Sequence, residues 1–157
     1  VAPISTELAD YLMSEALKEA SFGALKGEVP VGAVIAVNGS IVARAHNLTE
    51  SVSFVGAHAE MLAIQEASRQ GANWRLTESI LCVTLEPCTM CFGAARLSRI
   101  SAIIYGAGDS RQGAVGSLYD LSTDTRLGPP ITVIRNHMAE ESSKLLKDFF
   151  ASKRNNQ

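Results

Sequence analysis

Apolar residues along the chain first recur at helical spacing. Leu8, Leu12, Ala16, Leu17 and Ala20 fall on one stripe, with Glu7, Asp10, Glu15 and Lys18 elsewhere on the wheel. The spacing predicts an amphipathic helix over residues 5 to about 24. Ser5 or Thr6 is placed to cap its start, and Gly23 or Gly27 to end it. Val31 to Val37 is a short β-branched run, and Asn38-Gly39 behind it is a strong hairpin signal. Ile41 to Ala45 is then an antiparallel return strand. Residues 46 to 56 lack any period and read as a loop. Residues 57 to about 70 read as a second helix, with Met61, Ile64 and Ala67 apolar and Gly71 as its stop. Ile80 to Leu85 is nearly continuous apolar sequence, which suits a buried strand. Pro87 is expected to begin a third helix that runs to about Leu97, because proline is tolerated in the first turn. Ala102 to Tyr105 reads as a fourth strand and Ile131 to Arg135 as a fifth. Residues 107 to 130 are loop-rich, with a short helix expected near 117 to 121. Residues 139 to about 152 form a final helix, and Lys153 to Gln157 are expected to fray. Strands separated by helices imply parallel pairing through right-handed crossovers. The expected architecture is α/β, with one mixed sheet between two helical layers.

A length of 157 residues suits one domain spanning 1–157. Hydrophobic residues make up 46% and charged residues 19%, which places the chain among globular proteins. The formal net charge is −2, so attraction of nucleic acid by bulk positive charge is excluded, while a local basic site is not. The acid is concentrated early: residues 1 to 28 hold five acidic and two basic side chains. Arg96, Arg99, Arg111, Lys144, Lys147, Lys153 and Arg154 all lie in the later half. No apolar run is long enough for a membrane span. Val1 to Asp10 has neither the basic nor the apolar region of a signal peptide. The three cysteines, Cys82, Cys88 and Cys91, make a poor disulfide framework. They fit a reducing compartment and a metal or redox site.

Two motifs carry the candidate chemistry: His58-Ala59-Glu60 and Pro87-Cys88-Thr89-Met90-Cys91. Each falls at an expected helix start. Cys88 and Cys91 in one helical turn direct both sulfurs to one side, and a helix N-terminus favours the thiolate. A catalytic zinc takes three protein ligands and leaves a fourth position for water. His58 is the natural third ligand. Glu60 is near enough to exchange a proton with that water without closing the open position. The pair of motifs is the general signature of zinc nucleobase deaminases, H-x-E followed by P-C-x-x-C. A redox reading of Cys88 and Cys91 alone leaves His58-Ala59-Glu60 unexplained. Cys82, in mid-strand, reads as a small buried hydrophobe, and His46 and His137 as loop or surface residues.

At these residues the chain resembles the bacterial tRNA adenosine deaminases, a branch of the cytidine deaminase superfamily. The resemblance runs through Glu28-Val29-Pro30-Val31-Gly32-Ala33-Val34, His46-Asn47, His58-Ala59-Glu60-Met61 and Asn73-Trp74-Arg75-Leu76. It continues through Val83-Thr84-Leu85-Glu86-Pro87-Cys88-Thr89-Met90-Cys91, Gly116-Ser117-Leu118 and Leu145 to Phe150. It implies a three-layer α-β-α sandwich with a five-stranded mixed sheet, a homodimer, a cytoplasmic location and one zinc per subunit. It also implies His58, Cys88 and Cys91 as ligands, a zinc-bound hydroxide as the nucleophile, and Glu60 as the proton shuttle. Asn47 matches the family's base-contacting Asn, for which an Asx-turn is the structural alternative. Val31, Ala59, Leu85 and Pro87 match the pocket wall, with the Ala59 backbone at the base edge. The implied reaction is hydrolytic deamination of adenosine to inosine at the wobble position in a tRNA anticodon loop. The rival readings are a deaminase of a free base or nucleoside, such as guanine or cytosine, and a zinc-stabilised RNA-binding module without turnover. The presence of Glu60 counts against the second. One departure stands out. The family usually has Asp-Pro-Thr before Ala-His-Ala-Glu, whereas this chain has Phe54-Val55-Gly56. A loop of different shape at the mouth of the site is therefore expected.

Overall fold

The computed structural model describes residues 3–156. Its first helix, α1 (Thr6–Leu25), begins where the Ser5 hydroxyl accepts the Leu8 N–H at 3.1 Å. The predicted stripe is its buried face: Leu12, Ala16 and Ala20 are fully enclosed. Strands β1 (Gly32–Val37) and β2 (Ser40–His46) form the expected hairpin. Asn38 and Gly39 both take the positive φ that its two-residue turn requires. Gly32 marks a close approach of α1 to the sheet, since a Cβ there would run into the Ala16 carbonyl.

The remaining elements are α2 (Thr49–Val52), α3 (Ala59–Gly71), β3 (Ser79–Leu85), α4 (Thr89–Leu97), β4 (Ala102–Ala107), β5 (Thr132–Ile134) and α5 (Ala139–Asn155). The sheet order is β2-β1-β3-β4-β5. β1 is antiparallel to both β2 and β3, whereas β3, β4 and β5 pair in parallel. Strands alternate their side chains between the two faces. Val34, Ala36, Cys82 and Ile104 pack under α1. Ala33, Ile35, Leu81, Val83 and Ile103 pack against α3 and α4. Because α5 lies against β4 and α1, the layers are α1 and α5, the sheet, then α3 and α4. Burial on both faces explains why β3 and β4 read as unbroken apolar runs.

Several expectations need correction. β2 and β3 run in the same direction but do not pair, because β1 lies between them. β4 and β5 pair in parallel although no α-helix joins them; that connection carries two 3₁₀ turns, Leu121–Thr123 and Thr125–Leu127. The helix expected over 117–121 is absent. Asp120 instead caps the first 3₁₀ turn, its carboxylate accepting the Ser122 N–H at 3.0 Å. The expected loop 46–56 contains α2, whose stabilising partner is distant in sequence, as described below. The tail expected to fray from Lys153 is helical as far as Asn155, where α5 ends. Lys153 and Arg154 in its last turn complement the helix dipole, and the Lys153 ammonium lies 5.4 Å from the Phe149 ring centroid. Gln157 of that tail and Val1–Ala2 at the other end fall outside the described residues.

Candidate active site

The C-terminal end of β3 and the N-termini of α3 and α4 converge at one end of the sheet. Pro87 does not open α4. Cys88 is the N-cap residue, with extended backbone (φ −78°, ψ 175°), and the helix starts at Thr89. Cys91 is then the third helical residue, the position that an N-cap side chain faces. His58 occupies the same N-cap place on α3 (φ −69°, ψ 152°), and Glu60 follows in its first turn. Two helix N-termini therefore point their positive ends at one site.

His58 Nδ1 lies 3.7 Å from Cys88 Sγ and 3.4 Å from Cys91 Sγ. All three donor atoms are within 4.8 Å of one another. One imidazole nitrogen and two sulfurs at that spacing fit the three-ligand set of a catalytic zinc. The thiols are held unequally. The Cys91 thiol donating to Cys88 brings the latter's pKa down to about 4, the His58 ring acts the same way, and burial opposes both. Cys91 is pushed up, first by that same bond and then by burial. The opposite directions express one proton shared between the two sulfurs, because adjacent thiolates repel without a cation between them. His58 is raised, chiefly by its bond to Cys88. Glu60 is 4% exposed, and burial pushes its carboxyl up to about 7. Cys82 lies buried in the sheet, away from this cluster, and burial raises its thiol as well.

A cavity of about 230 Å³ opens beside these donors. It is smaller than the roughly 300–1,000 Å³ typical of drug-sized ligands and is scaled for a single base. His58, Ala59, Glu60, Cys88, Asn47, Val31 and Leu85 all border it. Cys91 and Pro87 are buried and outside the lining, the Pro87 carbonyl accepting the Ala114 N–H at 2.9 Å. Sequence reasoning missed Val29, Thr49, Glu86, Asp109 and Gln112, which complete the wall. Asp109 and Gln112 sit in a loop with no period to reveal them. Glu86 carries a sequence signal, an acid at the end of an apolar strand.

Asn47 is buried, and its Oδ1 faces the Thr49 N–H at 3.4 Å, a long Asx-turn contact. The α2 turn beyond it is held by Glu28, which is fully buried. The Glu28 carboxylate accepts the Glu50 N–H at 3.2 Å, the Ser51 N–H at 2.6 Å and the Ser51 hydroxyl. Burial pushes this carboxyl up, but the Ser51 and Glu50 donors outweigh it and hold it below the usual range. In the departure segment, the Phe54 ring folds over Gly56, where a Cβ would collide with it. Phe54 and Val55 are exposed, so an apolar tip stands where the family usually has Asp-Pro-Thr. His46 reaches Glu19 and Lys26, and His137 reaches Asp10, both away from the pocket.

Residues 6–107 match the family model of the cytidine and deoxycytidylate deaminase zinc-binding region. The chain is 45% identical over 148 residues to a tRNA-specific adenosine deaminase of Streptococcus pyogenes, covering 94% of this chain and 86% of that one. It is 45% identical over 141 residues to the Bacillus subtilis tRNA-specific adenosine deaminase, covering 90% and 88%. Among solved structures, one from a study of A-to-I editing by tRNA deaminases at the wobble position superposes with a TM-score of 0.84. It is 36% identical and covers 87% of this chain and 99% of that one. A guanine deaminase of Bacillus subtilis is 27% identical, with a TM-score of 0.60 over 75% of this chain and 88% of that one. The chain belongs to the cytidine and deoxycytidylate deaminase family of zinc enzymes, on the branch of the tRNA-specific adenosine deaminases.

Proposed function

We propose that this chain hydrolyses adenosine to inosine at the wobble position of a tRNA anticodon loop. The observation that carries the reading is the base-sized cavity with Glu60, His58 and Cys88 at its wall and the Cys91 sulfur within 4.8 Å of the other two donors. A tRNA cannot enter so small a space, but one nucleotide splayed out of its loop can. Val31 and Leu85 supply apolar walls for the ring, and the Ala59 backbone and the Asn47 amide supply polar contacts to its edge. His58, Cys88 and Cys91 would hold one zinc, which supplies the acidity that makes water a nucleophile near neutral pH. Glu60 takes a proton from that water and delivers it to ring nitrogen N1, then assists departure of the amino group as ammonia. The balance is one water consumed and one ammonia released per adenosine.

A second groove favours RNA over a free base. It adjoins the pocket through Val29, Leu85 and Asp109, and its far wall carries Arg111, Lys147, Phe150 and Arg154. Cations beside an exposed aromatic suit a single-stranded backbone and a stacked base. Replacing Lys147 and Arg154 by alanine is expected to raise KM for an anticodon stem-loop while zinc content stays the same. The log–log salt slope of binding should also fall by about 0.7 for each phosphate that is no longer neutralised. Unchanged KM and slope in the double variant would remove the groove from the RNA path. Lys153, turned to the Phe149 ring, is not part of this expectation.

Asn47→Ala is expected to lower kcat/KM with little change in Tm if the amide contacts the base. A fall in Tm with full specific activity of the folded protein would assign Asn47 to the turn instead. The active form is proposed to be a cytoplasmic homodimer with tRNA across the subunit boundary, and an active monomer in sedimentation at working concentration would refute the dimer. No helix among the described residues is long and apolar enough to cross a membrane. The substrate class is tested by offering RNA and free bases side by side. Ammonia release from an anticodon stem-loop supports the proposal, whereas release from guanine or cytosine alone favours a free-base deaminase.

A further inference from the structure

One acidic side chain beside the pocket has no part in the chemistry above. Glu86 directly follows β3, stands two residues before Cys88 and is 2% exposed. Its Oε1 accepts the Asp109 N–H at 3.0 Å and the Ser117 hydroxyl. Its Oε2 accepts the Val115 N–H at 3.0 Å and the Ser117 N–H at 3.1 Å. A carboxylate offers about four acceptor sites, so Glu86 has none left for a substrate or a proton transfer. All four donors belong to one segment, residues 109–117.

That segment is tied to the strand–helix junction at two more points. The Ala114 N–H donates to the Pro87 carbonyl at 2.9 Å, and Gly113 forms an isolated antiparallel bridge with Cys88. Gly113 sits so close that a Cβ would collide with the Glu86 carboxylate. On its other side, Arg135 donates to the Val115 carbonyl and, at 2.7 Å, to the Asp120 carboxylate. Val115 is therefore gripped through its N–H by Glu86 and through its C=O by Arg135. The same segment contributes Asp109 and Gln112 to the pocket wall.

We infer that Glu86 is a positioning residue for the deamination: by saturating its carboxylate with donors from residues 109–117, it fixes the irregular loop that closes one wall of the base pocket. The inference rests on the deaminase reading above for its kinetic consequence, and on the hydrogen-bond pattern for its structural one. A loop without α-helix or β-strand depends on such a bonded centre for its shape. An apolar side chain at position 86 would fill similar space but leave three backbone N–H groups without a partner, the asymmetry that makes buried acceptors hard to replace.

The test uses Glu86→Gln and the milder Ser117→Ala, each compared with the wild-type chain loaded with zinc. Gln offers one acceptor oxygen and turns an amide N–H₂ toward two donors, and Ser117→Ala removes one of the four bonds. Amide hydrogen exchange is read at Asp109, Val115 and Ser117, and at Leu81 and Ile103 in β3 and β4 as internal controls. Kinetics are read on an anticodon stem-loop, and zinc is counted per chain. The inference expects faster exchange at the three loop amides with the strand amides still protected, and unchanged zinc. It expects kcat/KM to fall at least tenfold in Glu86→Gln, mainly through KM, and in the same direction but less in Ser117→Ala. Loop exchange that rises while kcat and KM stay at wild-type values would overturn it. So would a uniform rise over β3 and β4 with loss of zinc, which would make Glu86 a general fold residue. Should Glu86→Gln fail to fold, Ser117→Ala decides alone, and a wild-type KM there overturns the inference. Should the wild-type chain ignore the stem-loop, the tRNA reading fails separately, and KM is read on whichever free base it does turn over.

Discussion

Glu60→Ala is expected to abolish nearly all turnover while leaving the protein folded and loaded with zinc. The loss should be at least the 10²–10⁴-fold typical of a general acid–base group. Glu60 lies in the first turn of α3, two residues beyond His58, and borders the pocket. It is not among the three donors that face one another, which are His58 Nδ1 and the sulfurs of Cys88 and Cys91. Its removal therefore takes away the proton carrier and spares the metal. The variant is read by three measurements on one preparation: zinc per chain, Tm, and kcat on an anticodon stem-loop. Near-normal kcat would end the proton-shuttle assignment. Zinc lost together with activity would instead place the Glu60 carboxylate in the donor set.

Cys88→Ala is expected to act in the opposite way, through the metal first. Cys88 is the N-cap of α4, and its sulfur bridges His58 and Cys91. Without it, two donors remain, too few for the three-ligand site. Metal binding to the folded state adds stability by mass action, so its loss shows as lower Tm. With free zinc at about 1,000 times Kd, the stabilisation removed is about 4 kcal/mol. For a chain of this size that corresponds to a fall of roughly 10 °C. Stripping wild-type protein with a chelator should reproduce the same Tm, and adding zinc back should restore only the wild type. A Cys88→Ala variant that keeps stoichiometric zinc and full Tm would contradict the ligand assignment.

The sequence made the site more legible than the loops around it. His58, Glu60, Cys88 and Cys91 could be paired from two short motifs because both open helices, and helix starts announce themselves through local residues. The core strands were equally open to reading, since burial on both faces writes an apolar run into β3 and β4. Asn38-Gly39 specified its turn through its own backbone needs. The α2 turn could not be read, because its stabilising carboxylate is Glu28, more than twenty positions earlier in the chain. The segment at 109–117 stayed hidden for the same reason: its shape is set by Glu86 and Arg135, not by its own period. The exact N-cap of α4 was misplaced by two residues because Pro87 is as compatible with the approach to a helix as with its first turn. In each miss, a tertiary partner decided a local conformation that propensity left open.

The pocket is proposed to act on adenosine in a tRNA anticodon loop. That activity is read by incubating the zinc-loaded chain with a tRNA pool and sequencing the products, where inosine reads as guanosine. Adenosine-to-guanosine conversion is expected only at the wobble position of tRNAs whose anticodon begins with adenosine, and not with Glu60→Ala. An unchanged tRNA pool, with ammonia released from free guanine by the same preparation, would make the pocket a free-base site instead.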